Sequence, residues 1–347
     1  MSQLVVTTVG PATSVQDAGR FGAQRYGLTI SGAMDRIALA MANTLAGSSP
    51  FAAAIEIGPF GASFIARNGA VRVALSGATR VAAIAATPFP LNETALIAEG
   101  ETLKLGPARD GVFSYLAIEG GISGEPVFGS LSVNARAGLG SPFPRPLQAG
   151  DALNVGTAQL VPHERALDTL DQPKTAIRVV MGPQDDEFGA ACDVFLGGDW
   201  RISATSDRMG YRLEGPKVVH PGGHNIVSDG AVHGSIQVPG SGQPIVLMAD
   251  HGTTGGYPKI ATVISADLGR FAQMPAGSVF RFKAISVADA QAEARKVAEF
   301  LRALPERVHP AGGSSLNLAE LQKANVAGVA VNAIDMATWQ TQATSEP

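Results

Sequence analysis

Two successive runs of short β-prone segments, each begun by one strand and one helix, constrain this chain more than any other feature. In the first run, residues 4–9 read as a strand, followed by Gly10-Pro11 and the polar segment Ser14-Val-Gln-Asp-Ala-Gly-Arg20. Ile30-Ser-Gly-Ala-Met-Asp35 then opens a helix with Ser31 or Asp35 as its cap. Ile37, Met41 and Leu45 share one face of it and Gly47 ends it. Strands follow at 53–57, 62–66, 71–76, 81–85, 102–105, 112–118 and 151–155. The second run repeats the order: a strand at 177–181, then a helix led by Gly182-Pro-Gln-Asp-Asp-Glu187 with Phe188, Cys192, Phe195 and Leu196 on one face. More strands are expected at 200–204, 211–213, 217–220, 225–228, 235–238, 245–248, 261–265 and 279–282. The 41 glycines and 22 prolines supply the turns that so many short strands need. The expected class is mainly β with a few helices, in two similar β-rich domains of barrel type. The expected divisions are a first domain over 1–156, a linker over 157–175 with a short helix near 164–170, a second domain over 176–285, and a C-terminal helix and tail over 286–347. In that last part Ser286 caps a helix over 287–301, 316–323 reads as one further short helix, and the end from about 341 reads as disordered.

A length of 347 residues with a 45% hydrophobic fraction supports two sizeable cores. The net charge of −4 offers no global basic field for nucleic acid or an anionic membrane, so neither is expected as a partner. The N-terminal residues lack a basic n-region, and no apolar run approaches the ~20 residues of a spanning helix. A cytoplasmic location is therefore expected. Cys192 is the only cysteine, which excludes an intramolecular disulfide, and its place on a helix face points to packing.

Chemistry-bearing residues concentrate in Asp250-His-Gly-Thr-Thr-Gly-Gly-Tyr-Pro-Lys259, between two apolar runs of strand length. A glycine-rich polar corner between buried strands can bring backbone N–H groups and side chains to one point. The competing reading is a long hairpin turn whose glycines only supply positive φ. Ser206-Asp-Arg-Met-Gly-Tyr-Arg212 places two arginines and an acid around a Met-Gly turn, suited either to gripping an anion or to a surface pair of Asp207 with Arg208. The Gln16, Asp17 and Arg20 segment has the same two readings. Asp229 and Gln237 face a pocket or cap turns. His251 in the corner reads as a general base or as a structural hydrogen-bonding group. His220 and His224 are separated by Pro221-Gly222-Gly223 and share no helix face, so no metal site is expected. Gly106-Pro-Ala-Arg-Asp-Gly111 has phosphate-loop glycine spacing, but Val112-Phe113 stands where Lys-Ser/Thr belongs.

These segments resemble the allophanate hydrolase subunit 2, or biotin-dependent carboxyltransferase-like, family, which includes the C subunit of 5-oxoprolinase and the KipI-antagonist proteins. The resemblance is carried by Ser14-Val-Gln-Asp-Ala-Gly-Arg20, Ser31-Gly-Ala-Met-Asp35, Tyr115-Leu-Ala-Ile-Glu-Gly-Gly-Ile122, Gly182-Pro-Gln-Asp-Asp186, Ser206-Asp-Arg-Met-Gly-Tyr-Arg-Leu213, Ile236-Gln-Val-Pro-Gly240 and Gly242-Gln-Pro-Ile245. Thr253-Thr-Gly-Gly-Tyr-Pro-Lys-Ile-Ala-Thr-Val263 is the longest match, and the blocks span roughly 4–283. The resemblance implies two tandem cyclophilin-like β-barrel domains plus a C-terminal helical tail. It also implies one component of an ATP-dependent hydrolase complex that opens 5-oxoproline to glutamate, working with a B-type subunit (allophanate hydrolase subunit 1-like) and with an A-type subunit. The alternatives are a biotin-dependent carboxyltransferase acting on urea or a related amide, and a regulatory antagonist of a partner kinase-inhibitor protein. ATP is expected to be used by the complex, and nothing resembles a Met-Lys biotin-attachment motif. On this reading Lys259, Asp207, Arg208, Asp250 and His251 are the catalytic candidates. Gln16, Asp17, Arg20, Arg212, Gln237, Gln243, Thr253, Thr254, Gly255, Gly256 and Tyr257 are the substrate-binding candidates. Asp250-His251-Gly252 departs from the Asp-Arg-Gln usual in the family, replacing a permanent cation by a titratable imidazole.

Overall fold

The computed structural model describes residues 1–159, 161, 164–168, 175–223 and 225–311. Their strands form an eleven-stranded sheet, an eight-stranded sheet and a two-stranded ribbon. The fold is mostly β and its sheet is barrel-like, as the strand-rich pattern predicts.

The first sheet is built on Val71–Ile84 and Thr102–Ile118, paired antiparallel along their length. The pattern of apolar runs divides each into two strands, but the chain bends through instead of stopping. Register shifts between Gly77 and Ala82 absorb the bend, and Gly77 and Gly111 sit at φ +99° and +94°. A bulge with glycine at positive φ curves a strand without ending it. Thr102–Ile118 thereby serves two neighbours, pairing with Ala62–Arg67 near one end and Ala54–Ile57 near the other. Leu4, Ile55, Phe64, Val73, Leu103 and Leu116 fill the space this sheet encloses.

Helix α1, Arg36–Leu45, packs against the same two long strands. Of its two candidate caps the structure uses Asp35, whose Oδ1 accepts from the N–H groups of Ile37 and Ala38, each at 3.1 Å. Helix α2, Ala191–Gly197, follows the strand Ile177–Met181 as expected. Helix α3, Ser265–Ala272, is not apparent from the sequence, which reads as loop between two strands there. Gly269 of α3 brings it against α1: a Cβ at that position would lie 2.6 Å from Asp35 Oδ1. Buried residues of α1, α3 and the eight-stranded sheet belong to one continuous apolar cluster, so the halves share a core.

Helix α4, Val287–Ala303, is capped by Ser286 and lies on the surface with no fully buried residue. None of the helices among the described residues is long and apolar enough to cross a membrane. Beyond α4 the chain returns to the first sheet, where Val308–Pro310 pairs with Arg165–Leu167. The short helix expected near 164–170 is thus a strand over its described part. Ala166 and Leu167 are buried against the sheet edge, and the Arg165 N–H donates to Thr94 Oγ1 at 2.7 Å. Edge pairing satisfies the backbone here and overrides local helix preference. The strand expected at 217–220 does not form, and the one expected at 225–228 is replaced by a two-residue strand, Asp229–Gly230. The expected helix at 316–323 and the disordered end lie outside the described residues.

Candidate active site

The glycine-rich corner is not a hairpin. Ile245–Leu247 and Lys259–Val263 do not pair with each other; both flank Ser235–Gln237, where Ile236 faces Val246 on one side and Ala261 on the other. The segment between them crosses over that strand and makes its own ribbon, Thr254–Gly255 paired with Asp229–Gly230. The Ala231 N–H to Thr253 carbonyl and Ile226 N–H to Gly256 carbonyl bonds, at 3.0 and 2.9 Å, extend it. Gly255 lies against the buried Gln237 side chain; a Cβ there would sit 2.2 Å from Gln237 Nε2. Thr254 and Tyr257 are exposed and Thr253 is half-buried, so their hydroxyls rim the corner.

Lys259 starts the strand beneath this ribbon and is 2% exposed. Its Nζ donates to Asp229 Oδ2 at 2.9 Å. The Asp229 carboxyl, open to solvent, is held below the usual carboxylate range by that bond and by the Gly230 N–H. The Lys259 backbone is fixed from outside the corner: its N–H donates to Gln184 Oε1 at 2.9 Å, and its carbonyl accepts from the Gln184 N–H at 3.1 Å. Gln184 belongs to the Gly182-Pro-Gln-Asp-Asp186 motif, so two separated motifs meet at one lysine.

Asp207 and Arg208 do not form a surface pair. Asp207 Oδ1 accepts from the Met209 and Gly210 N–H groups and caps its own turn. Arg208 turns inward and bridges the halves. Its Nε and Nη2 grip Asp250 at 2.8 and 3.2 Å, Nη2 reaches the Gly32 carbonyl at 2.8 Å, and Nη1 pairs with Glu56. Glu56, 0% exposed, also accepts from the Tyr115 hydroxyl at 2.7 Å and the Met34 N–H at 2.8 Å. Tyr115 in turn accepts from the Asp35 N–H at 2.7 Å, and Asp35 Oδ2 accepts from Gln273 Nε2 at 3.0 Å. A buried hydrogen-bonded path therefore runs from α3 through both sheets to Asp250. Burial raises the Glu56 carboxyl against the opposing charge of Arg208. For Arg208, desolvation is outweighed by Asp250 and Glu56, which hold it above the ordinary arginine value. Its donors are committed to these groups, so Arg208 orders the site and is not a free cation.

Asp250 is where the first-half motif arrives. Gln16 is buried and donates to Ser14 Oγ and the Val133 carbonyl. Asp17 accepts from the hydroxyls of Ser130 and Ser132 and from the Leu131 and Gly19 N–H groups. Both residues pin loops. Arg20 is 1% exposed, and Asp17 and Asp250 are its charged neighbours. Arg212 and Gln243 have a different place: Arg212 is exposed on Gly210–Glu214, and Gln243 spans the Gly215 N–H and carbonyl at 3.0 and 3.1 Å. Among the described residues no hydrogen bond links either to Lys259, Arg208 or Asp250.

His251 is 2% exposed, and its Nδ1 lies 2.6 Å from the Gly252 carbonyl. A carbonyl only accepts, so Nδ1 carries the proton and Nε2 is a bare acceptor. The His233 ring lies 6.4 Å away, with its Nε2 buried and unpartnered. Burial lowers both imidazoles. His233 is pushed down to about 3 by burial, then by His251 and Arg208; His251 is lowered by burial against the Gly252 carbonyl and Asp250. Both are neutral at physiological pH, so at this corner His251 offers an acceptor through Nε2 and not a cation. Because both folded-state values lie below the unfolded value of about 6.5, with His233 down at about 3, the unfolded chain binds more protons as pH falls below about 6.5. Their stabilisation is complete above about 6.5 and is lost as pH falls. Urea titrations at pH 7 and 5 should show His233→Gln losing less stability than wild type; equal losses would remove His233 as the acid-sensitive group.

A cleft of about 1000 Å³ opens between α1 and α3 and is lined by Asp35, Gln273, Ser76 and Phe280 among others. It meets the buried path at Asp35 and Gln273 but contains none of Lys259, Asp229 or Asp250. Among the described residues no three His, Cys, Asp or Glu side chains converge as metal ligands would. Gly106–Gly111 lies within the strand Thr102–Ile118 and so does not form a phosphate loop.

Residues 26–284 match the sequence profile of the carboxyltransferase domain, subdomain A and B. The chain belongs to this family. It is 34% identical over 292 residues to the C subunit of 5-oxoprolinase from Haemophilus influenzae, covering 84% of this chain and 94% of that protein. With the C subunit of the Escherichia coli 5-oxoprolinase it shares 35% over 316 residues, covering 88% and 99%. The Kluyveromyces lactis urea amidolyase crystal structure superposes with a TM-score of 0.80 at 26% identity, over 89% of this chain and 21% of that much longer one. Glu56, Tyr115, Gln184, His233 and Gln273 are site or support residues that sequence reasoning did not single out. Glu56 carried a signal, being a lone carboxylate inside the apolar run Ala53-Ala-Ile-Glu-Ile57.

Proposed function

We propose that this chain is the C-type subunit of an ATP-dependent 5-oxoprolinase complex, acting with A- and B-type subunits to open 5-oxoproline to glutamate. The observation that carries this reading is the near end-to-end correspondence with two proteins that bear the name of the 5-oxoprolinase C subunit. The site chemistry supports it. Opening a lactam places negative charge on the carbonyl oxygen and requires a proton at the departing nitrogen. Lys259, held in a buried position with its ammonium towards Asp229, is the cation for that oxygen. The Thr253 and Thr254 hydroxyls and the Gly255-Gly256 backbone orient the ring. His251, neutral with Nε2 unprotonated, takes a proton from the attacking water at Nε2 and passes it to the departing nitrogen. ATP supplies the activation in the complex; Gly106–Gly111 is strand and forms no phosphate loop for it.

The test is reconstitution. Purified chain, both partner subunits, ATP and 5-oxoproline should yield glutamate, and omitting this chain should abolish it. Glutamate formed equally well without the chain rejects the reading. The likeness to urea amidolyase favours a second reading, carboxyl transfer from carboxybiotin to an amide. Labelled carboxyl transfer to urea without ATP at that step, with no glutamate from 5-oxoproline, selects it.

A further inference from the structure

Arg20 is a buried cation whose hydrogen bonding is unfinished. Its Nη2 donates to the Ser132 carbonyl, while Nε and Nη1 are sealed from solvent without an acceptor. Guanidinium does not lose its proton, so these donors are obligatory, and a buried donor left unmade is costly. Other buried arginines differ. Arg80 spends its donors on Ser114 Oγ and the Gly106 and Gly58 carbonyls. Arg208 is saturated by Asp250, Glu56 and Gly32.

The neighbouring carboxylates do not complete Arg20. Asp17 already accepts four hydrogen bonds, and Asp250 is gripped by Arg208. Backbone contacts place Arg20 beside the active-site corner. Its N–H donates to the Ile30 carbonyl at 2.8 Å, and the adjoining Thr29 hydroxyl donates to the Ala249 carbonyl at 3.3 Å, next to Asp250. The Gly32 carbonyl of the same loop takes Arg208.

We propose that Arg20 is the anchor of a carboxylate-binding subsite at the inner wall of the Asp250–His251 corner. Nε and Nη1 lie on opposite edges of the guanidinium, so a ligand monoanion takes one of these free donors together with the second hydrogen of Nη2, whose first is held by the Ser132 carbonyl. A carboxylate matches guanidinium donors in shape and charge. A phosphate dianion beside Asp17 and Asp250 meets like-charge repulsion. The identity of the ligand rests on the 5-oxoprolinase reading, under which the carboxylate is that of 5-oxoproline; the subsite itself does not. Arg20 would then position the lactam ring relative to Lys259 without taking part in bond making.

Calorimetric titration of the full chain tests this with three probes: 5-oxoproline, 2-pyrrolidinone (the same lactam without a carboxylate) and formate. Wild type should bind 5-oxoproline more tightly than 2-pyrrolidinone. Arg20→Gln, checked for folding by circular dichroism, should bind 5-oxoproline roughly 10- to 100-fold more weakly with 2-pyrrolidinone unaffected. Arg20→Lys keeps the charge but not the planar fork, should fall between, and decides the matter if Arg20→Gln does not fold. Formate bound through Arg20 with 5-oxoproline ignored keeps the subsite and rejects the 5-oxoprolinase reading. Carboxylate binding that is absent in wild type, or unchanged in both variants, overturns the proposal and leaves those donors to water.

Discussion

Arg208→Met is expected to destabilise the folded chain by about 3–5 kcal/mol, as removal of one partner from a buried ion pair does. The loss comes from what is left behind. Glu56 is 0% exposed and keeps only the Tyr115 and Met34 donors on one oxygen, while the oxygen facing Arg208 loses its cation. Asp250 loses both of its arginine contacts at once. Burial already raises the Glu56 carboxyl, with Arg208 as the chief opposing influence, so removing Arg208 raises it further. A carboxyl with a folded-state pKa above its unfolded value stabilises most below the unfolded value, and that contribution is lost as pH rises. The deficit of Arg208→Met relative to wild type should therefore shrink as pH falls from 7.5 towards 5.5; loss of the Arg208 charge also lets His233 rise, which acts in the same direction. Glu56→Gln in the Arg208→Met background should recover part of the loss, because it removes the stranded charge. Urea unfolding of the two single variants and the double variant measures all three expectations. A urea midpoint for Arg208→Met equal to wild type would mean that the bridge between the halves is solvated and contributes little.

The mainly β class, most of the strands, the helix capped by Ser31 or Asp35 and the glycine-rich corner were legible because each leaves a local mark. Alternation, capping residues and turn glycines act within a few positions of one another. What was not legible depends on contacts between distant segments. The two long strands of the first sheet look broken at Gly77 and Gly111, because a bulge and a chain end have the same local composition. Helix α3 is short, and what holds it is Asp267, buried and bonded to Arg270 three residues on and to Arg178, 89 residues away, a pairing no local window contains. The corner looks like a hairpin because pairing of its flanking runs with Ser235–Gln237 is invisible in one dimension. Arg208 shows the same limit most plainly. Next to Asp207 in sequence it reads as half of a surface pair, yet its partners lie 152 and 42 residues away at Glu56 and Asp250. The family resemblance picked out these segments but not which partner each cation takes, Glu56 and Asp250 for Arg208 and Asp229 for Lys259.

Lys259→Met should have the opposite profile to Arg208→Met, a large loss of activity on a nearly intact fold. Both cations are buried, but their partners differ in exposure. The Asp229 side chain is 54% exposed, so on loss of Lys259 it is solvated by water and keeps the Gly230 N–H at 2.7 Å. No stranded charge remains in the core. Methionine fills the space of the lysine stem, and the backbone clamp by Gln184 does not depend on the side chain. Melting and circular dichroism should thus stay close to wild type. On the proposed function, activity rests on the ammonium itself, which Asp229 holds beneath the Thr254–Gly255 ribbon. Removing a preorganised donor to a developing oxyanion lowers turnover by roughly 100- to 1000-fold, so glutamate formation by the reconstituted complex should fall by that factor in kcat, with KM for 5-oxoproline changing far less. Lys259→Arg is the informative companion, since it keeps the charge but displaces it; a partial rescue distinguishes charge stabilisation from mere packing. Turnover of Lys259→Met at the wild-type rate would exclude Lys259 from the chemistry and leave it as the strut that holds the Asp229 ribbon over the site.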